Sequence, residues 1–430
     1  MKRIIYLFAL KLYYGGVVLV SPWNAKARLW LRGRRGILNR LRDALRRKPG
    51  QELVWMHCAS LGEFEQGRPL LETIRLQHPG AVILVTFFSS SGYEIRKNYN
   101  KADYIFYLPY DSPKAARQFL AIVQPTLVLW IKYEYWYYYF REIKKAGIPF
   151  LLVSAIFRKD QVFFKWYGAL HRDMLNCFTH IFVQNPESAR LLQSIGVAQQ
   201  VSIAGDTRFD RVLEVASQFE PVPLVEEFCG NRQVIVAGST WEEDEEEMDH
   251  FANLHPEIRF VIAPHEVHAA HLKEIQRLFK HAILYSVYEQ QKTGAQAGAG
   301  KEPNVLIIDN IGMLARLYRY ATITYVGGGF GESGIHNILE AAVYGKPVVF
   351  GPVYAKFAEA VELVEAGGAF SVENALELEK NFGRLLHNYH VYNQACEASR
   401  KYVHTHSGAK QHIMDYITRH HLLPSQAAAR

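Results

Sequence analysis

Clustered cysteines, uninterrupted apolar runs and amino-terminal acids are all scarce in this chain of 430 residues. Cys58, Cys177, Cys229 and Cys396 stand far apart, with no CxxC or Cys/His ligand spacing, so neither a disulfide framework nor a zinc site is indicated. A reducing compartment is consistent with that usage. The apolar stretch at 4–20 is broken by Lys11 and sits at the margin of the about 20 residues a membrane span requires. It is too long, and ends too poor in small residues, for a cleaved signal peptide. Hydrophobic residues at 49% and charged residues at 21% exclude both a disordered chain and a many-helix membrane protein. Acids are nearly missing from one end. Residues 1–50 hold thirteen Lys and Arg against one acid, Asp43, for a net +12, while the rest hold 36 basic and 41 acidic residues, net −5.

That basic segment, from Lys26 to Lys48, interleaves Arg28, Arg32, Arg34, Arg35, Arg40, Arg42, Arg46 and Arg47 with Trp23, Leu29, Trp30 and Leu31. The positive-inside rule keeps such a cluster on the cytoplasmic side. Tryptophan beside arginine is the composition of a segment lying in the headgroup layer, where each basic residue adds about 1 kcal/mol on an anionic surface. A nucleic-acid patch or a solvated basic helix would also fit the charge. The adjoining apolar run favours the membrane, because it supplies the hydrophobic partner such a segment needs, and no nucleic-acid partner is expected. His265, His268 and His271 follow a helical stripe read as surface, without the acid or Cys set a metal site would need.

At about 100–200 residues per domain, the length fits two domains. Apolar, β-branched runs at 53–58, 81–87, 104–109, 126–131, 150–155 and 180–185 alternate with helical stretches. A second series follows at 233–239, 259–264, 282–286, 305–309, 321–329 and 346–352. Such alternation means βαβ units and doubly wound parallel sheets, hence an α/β chain of two Rossmann-like halves. The expected division is a membrane-associated segment at 1–22, a first domain at 23–210, a linker at 211–230 and a second domain with carboxyl-terminal helices at 231–430. The Gly-, Ala- and Gln-rich stretch 290–304 has no apolar period and reads as a surface loop without assigned function. Ligands of such sheets bind at the carboxyl ends of strands, and two sheets facing each other would form an interdomain cleft.

Three constellations carry chemistry. In His57-Cys58-Ala59-Ser60-Leu61-Gly62-Glu63, directly after a strand, Ser60 and Gly62 make a turn and Glu63 falls in the first turn of the next helix. A carboxylate there can act as a general base or can only complement the helix dipole, and local chemistry leaves both open. In Gly238-Ser239-Thr240-Trp241, followed by acids at 242–247, the turn N–H groups could take a phosphate, but the acids read mostly as a solvated first turn with one functional member. In Gly327-Gly328-Gly329-Phe330-Gly331 with His336-Asn337-Ile338-Leu339-Glu340, a glycine-rich loop admits a bulky ligand, and Glu340, one turn after His336, could accept from ribose hydroxyls. His336 could instead be a structural cap.

Together these residues resemble the 3-deoxy-D-manno-octulosonic acid (Kdo) transferases of lipopolysaccharide synthesis. The resemblance runs over nearly the whole chain: the basic amino-terminal segment, His57 with Ser60-Leu61-Gly62-Glu63, Leu108-Pro109-Tyr110-Asp111, Glu134 with Trp136, Gly205 with Arg208-Phe209-Asp210, Gly238-Ser239-Thr240, and Gly327-Gly328 through His336-Asn337-x-x-Glu340 to Gly345-Lys346-Pro347 and Gly351-Pro352. It implies a GT-B glycosyltransferase at the cytoplasmic face of the inner membrane. Such an enzyme moves Kdo from CMP-Kdo to a lipid A precursor with inversion and needs no cofactor beyond the donor. It implies Glu63 as catalytic base and donor contacts at Pro264, His265, Ile311, Gly312, Met313, Asn337, Ile338, Leu339 and Glu340. Ser60, Gly62, Glu134, Arg208, Ser239, Thr240, Gly328 and His336 would support them. This chain departs from the family pattern at three places. Lys132-Tyr133-Glu134-Tyr135-Trp136 replaces Glu-Thr-Glu-Leu-Trp, Pro264-His265-Glu266 replaces Pro-Arg-His, and Trp241 replaces a histidine. A sugar-nucleotide epimerase of the same fold and a non-catalytic lipid-binding protein are the alternatives. Deleting 1–22 should spare the first, and Glu63→Gln should spare the second.

Overall fold

The computed structural model describes residues 2–197, 200–293 and 302–423. Contacts divide the chain into two units, Met1–Arg211 with Ser407–Arg430, and Val212–His406.

The first unit opens with three helices, α1 (Lys2–Val20), α2 (Ala25–Arg34) and α3 (Ile37–Ala44). Asn24 caps α2 by accepting the Ala27 N–H at 3.0 Å, satisfying one of the helix's orphan donors. One side of α1 docks on the unit: Leu10 is buried and the Tyr6 hydroxyl donates to Asp111 Oδ2 at 2.6 Å. Ile4, Ile5, Phe8, Leu12 and Leu19 remain exposed. No helix among the described residues is long and apolar enough to cross a membrane.

Seven parallel strands follow: β1 (Leu53–Cys58), β2 (Val82–Phe87), β3 (Tyr104–Tyr107), β4 (Leu127–Ile131), β5 (Phe150–Ala155), β6 (His180–Val183) and β7 (Val201–Ile203), in the order β3-β2-β1-β4-β5-β6-β7. Helices cover both faces, which is why the strands are apolar throughout rather than alternating. Trp55, Trp130, Phe140 and Phe150 fill one side. On the other, Met56, Leu129 and Phe182 pack with Ile413, Met414 and Ile417 of the helix Ala409–Arg419. That helix therefore belongs to the first unit, not to the second where the sequence reading put it. Asp210 is the clasp: its carboxylate accepts the Gly408 and Lys410 N–H groups at 2.9 and 3.0 Å, at the positive end of the helix.

The second unit repeats the plan with β8 (Val234–Thr240), β9 (Arg259–Pro264), β10 (Ala282–Leu284), β11 (Val305–Ile307), β12 (Ile323–Val326), β13 (Val348–Phe350) and β14 (Ala369–Ser371), ordered β10-β11-β9-β8-β12-β13-β14. Of the stretch 290–304, residues 294–301 lie outside the described residues, the residues before them end the helix Tyr285–Thr293, and Asn304 is buried. The expected linker 211–230 is not extended chain: the helices Thr207–Ser217 and Pro223–Cys229 occupy most of it. In each sheet the strand order reverses beside the first strand, between β1 and β4 and between β8 and β12. Each switch point opens a crevice at the carboxyl ends of its own sheet's strands, and one chemical cluster lies at each.

Candidate active site

At the β1/β4 switch point, Ser60 caps the helix α4 (Leu61–Gln77), its hydroxyl facing the Glu63 N–H at 3.4 Å. Glu63 in turn accepts the Ala59 N–H, one residue before the cap. These bonds fix Glu63, which is only 8% exposed. Burial, and next the negative charge of Glu134, push its pKa up to about 7, against the pull of the Ala59 N–H and of Lys132. A carboxyl group half ionised near neutrality is matched to proton transfer. Gly62, one residue earlier, is exposed and touches nothing that a side chain would disturb.

Glu134 leaves the end of β4 through Lys132, whose φ of 62° lies in the left-handed region. Its Oε2 accepts from Trp136 Nε1 at 3.0 Å and lies 3.2 Å from His57 Nε2. Behind His57 stands a relay. His57 and Thr86 are register partners on β1 and β2, and Trp55 lies two residues before His57 on the same strand face. The Trp55 indole N–H donates to Thr86 Oγ1 at 2.8 Å, and His57 Nδ1 lies 2.8 Å from the same oxygen. On the other side of the ring His57 Nε2 faces Glu134. Burial and the positive charge of Arg34 hold His57 neutral, its pKa down to about 3. Burial pushes Glu134 up to about 7 as well. The Trp136 N–H and the charge of Arg34 pull it the other way, and the charge of ionised Glu134 in turn raises Glu63.

Arg34 donates to the carbonyls of Phe88 and Leu108 at 2.7 and 2.9 Å and lies over the Trp30 ring, 3.9 Å from its centroid. It is thus a structural cation of the site rather than the headgroup-facing residue the sequence pattern suggested. Arg208 is engaged by Asp206, Nε and Nη2 lying 2.9 and 2.8 Å from Oδ2. A groove of about 950 Å³ runs between α1, α2, α3 and the Pro109–Ser112 loop. Lys11, Arg32, Arg35 and Arg42 line it together with Tyr14 and Ile37, and no acid is among the described residues that line it.

At the β8/β12 switch point, Ser239 takes φ 55° and Thr240 gives its hydroxyl to Glu245 Oε1 at 2.7 Å. The same glutamate lies 2.9 Å from His271 Nε2, so His271 is buried against a carboxyl group and not part of a surface stripe. His268 caps the helix Ala269–Leu278 and His265 is exposed. Two of the run of acids turn inward. Asp244 accepts the N–H groups of Trp241 and Gly328 at 2.9 and 2.7 Å and the Tyr325 hydroxyl at 2.7 Å, stitching the two loops together. Among the described residues, no group of three His, Cys, Asp or Glu could hold a metal ion.

The glycines of the third constellation serve packing inside the unit. A Cβ on Gly327 would lie 2.3 Å from the Ser239 carbonyl oxygen, one on Gly329 2.5 Å from the Gly351 nitrogen, and Gly328 needs its φ of 89°. Asn337 donates to Glu340 Oε1 at 3.1 Å and accepts the Leu339 N–H. Ile338 and Leu339 are core residues, so only their backbones can face a ligand, and the helix they open, Leu339–Ala342, is too short for a substantial dipole. Pro264 ends β9 beside Thr240. Ile311 is 91% exposed, on a turn with Gly312 (φ 101°) and Met313. Trp241 and His336 join by Nε1–H to Nε2 at 3.1 Å, with His265 stacked on both.

The residues that the motif reading passed over are Thr86, Asp206 and Asp244. The signal for the first was a polar residue inside an apolar strand, as in Val82–Phe87, whereas nothing local separates Asp244 from the acids around it.

Residues 31–211 match the family described as 3-deoxy-D-manno-octulosonic-acid transferase (kdotransferase). Among known proteins, a bifunctional glycosyltransferase/methyltransferase of Fusobacterium nucleatum is 27% identical over 339 residues, covering 77% of this chain and 52% of the relative; the chain thus spans about half that relative's length. A 3-deoxy-D-manno-octulosonic acid transferase of Aquifex aeolicus is 27% identical over 342 residues, 77% of this chain and 86% of the relative. Among solved structures, UDP-GlcNAc 2-epimerase from Neisseria meningitidis bound to UDP-GlcNAc has a TM-score of 0.60 at 18% identity, covering 85% of this chain and 100% of that one. The last is a likeness of fold, and it agrees with the α/β, GT-B-type plan of two doubly wound parallel sheets.

Proposed function

We propose, for a glycosyltransferase whose residues 31–211 are a kdotransferase domain, that it transfers Kdo from CMP-Kdo to a phosphorylated, acylated glycolipid, the lipid A precursor lipid IVA, with inversion. The observation that carries the reading is Glu63, a buried carboxyl group bonded to the Ala59 N–H at the β1/β4 switch point, where burial and Glu134 push its pKa up to about 7. Ionised Glu63 takes the proton of an acceptor hydroxyl as that oxygen attacks the anomeric carbon of Kdo. The new bond forms on the face opposite CMP, the bond to the phosphate oxygen breaks, and CMP leaves with the electron pair. Trp136 and His57 hold Glu134 in place, and Glu63 acts as a base only once it is itself ionised.

The basic groove supports the acceptor assignment. Lys11, Arg32, Arg35 and Arg42 would meet the glycolipid's phosphates, and Tyr14, Val18, Leu31 and Ile37 its acyl chains. The exposed apolar side of α1 and the headgroup-type composition of α2 support attachment to the cytoplasmic face of the inner membrane, α1 lying on the surface rather than through it. The second unit would hold the donor, with Ile311–Gly312–Met313 against the base and Asn337 and Glu340 against the ribose.

The test offers the protein CMP-Kdo, generated in situ, with lipid IVA in detergent, and UDP-GlcNAc in a parallel reaction. A lipid product heavier by one or more Kdo units, with release of CMP, supports the reading. Epimerised UDP-GlcNAc and an unchanged lipid would replace it by the epimerase alternative.

A further inference from the structure

The rings at the β8/β12 switch point are arranged for a purpose that the general reading of the donor site leaves unused. Trp241 and His336 are nearly coplanar, 12° apart with centroids 6.5 Å apart, and their Nε1 and Nε2 atoms lie 3.1 Å apart. They meet edge to edge. His265 lies across both, 4.6 Å from Trp241 and 4.4 Å from His336, with interplanar angles of 26°. An indole N–H can only donate, so His336 Nε2 must accept and the imidazole proton must sit on Nδ1. Adding a proton to Nε2 would set two N–H groups against each other. Burial and the neighbouring His265 act in the same direction and hold the His336 pKa down to about 4. The loop that carries the ring is fixed from behind: His336 N–H donates to the Gly327 carbonyl at 3.1 Å, and Gly328 is pinned by Asp244. Nδ1 is left with no partner among the described residues.

We infer that Trp241 locks His336 as a neutral imidazole whose Nδ1–H donates a hydrogen bond to the phosphate of the nucleotide-linked donor. The inference rests on the donor reading above for its ligand and on the ring geometry alone for its lock. A donor-only atom calls for an acceptor-only group, and a phosphate oxygen is one. It assigns Trp241 as a positioning residue. A tryptophan here does what a second histidine would do only in one tautomer and one protonation state, and it removes general-base chemistry at His336. The phosphate is recognised by a fixed neutral donor instead of by a cation, at a site where the arginine of the family pattern is His265.

Nitrogen-15 spectra of the imidazoles in the full chain, assigned with His336→Ala, read the lock directly. Wild type is expected to show His336 protonated at Nδ1 and bare at Nε2, and Trp241→Phe, which keeps a ring but no donor, to show the Nε2–H form appearing. A wild-type His336 protonated at Nε2 overturns the lock. Binding of CMP and of cytidine reads the ligand. His336→Ala should weaken CMP by about 10- to 100-fold, the size of one hydrogen bond to a charged group, and leave cytidine unchanged. His336→Asn, whose amide N–H replaces Nδ1–H, should recover most of the loss, and His336→Gln should not. Equal losses for CMP and cytidine, or rescue by Gln rather than Asn, overturn the phosphate contact. CMP that fails to bind wild type overturns the donor reading and the phosphate assignment with it, while the spectra still decide the lock.

Discussion

Replacing Glu63 by Gln should make the protein more stable and less active at once. The carboxyl group has its pKa moved from 4.5 to about 7 by burial and by Glu134. A raised folded-state pKa means that the folded chain holds the proton more tightly than the unfolded one. Its stabilising effect is complete below pH 4.5 and is lost as the pH rises through about 7. At 1.36 kcal/mol per unit, ionised Glu63 costs the fold about 3 kcal/mol at pH 8. Gln is isosteric, its carbonyl oxygen can still accept the Ala59 N–H, and it never ionises. Urea denaturation of Glu63→Gln should therefore nearly match wild type at pH 4.5 and exceed it by about 3 kcal/mol at pH 8, with Tm higher by roughly 6–12 °C. Transfer should fall by about 10²-fold or more. A variant no more stable than wild type at pH 8 would refute the account of Glu63 as a buried carboxyl group held near neutrality.

The same carboxyl group predicts that wild-type kcat/KM rises about tenfold per pH unit up to about 7 and then levels off, with no downturn from His57, whose pKa lies near 3. Tyr6→Phe removes the bond to the buried Asp111 carboxylate and the acceptor of the Tyr137 N–H, a loss of about 1.5–3 kcal/mol. Hydrogen exchange should quicken in α1 and leave β1–β5 unchanged; uniform exchange across both would show that Tyr6 is not the tether. Gly327→Ala places a Cβ 2.3 Å from the Ser239 oxygen and should cost about 3 kcal/mol in the second unit, whereas Gly331→Ala, 3.6 Å from its nearest neighbour, should be near neutral in thermal melts.

Most of the fold was legible in the sequence because strands buried on both faces are written as unbroken apolar runs. Every such run became a strand. The two that went unseen, β7 (Val201–Ile203) and β14 (Ala369–Ser371), are three-residue edge strands whose exposed side relaxes the apolar requirement. The helix Ala409–Arg419 was placed in the wrong unit for a different reason. An amphipathic stripe announces that a face is buried but not against what, and its clasp, Asp210, lies about 200 residues away. Glu63 was readable from its turn, since its place in the first turn of the helix directly after β1 is local. Its companions were not. The relay through Trp55, Thr86 and His57 depends on strand register, and Asp244 differs from its acidic neighbours only in being folded inward. The loop glycines illustrate the opposite error: their chemistry suits a ligand, but the space beside Gly327 and Gly329 is already filled by backbone.

The most direct measurement pairs wild type with Glu63→Gln, each shown folded, in single-turnover transfer from CMP-Kdo to lipid IVA, with the lipid product followed by mass. A Kdo-sized gain in the wild type that is lost in the variant is the result predicted. An equal gain in both would contradict Glu63 as the base.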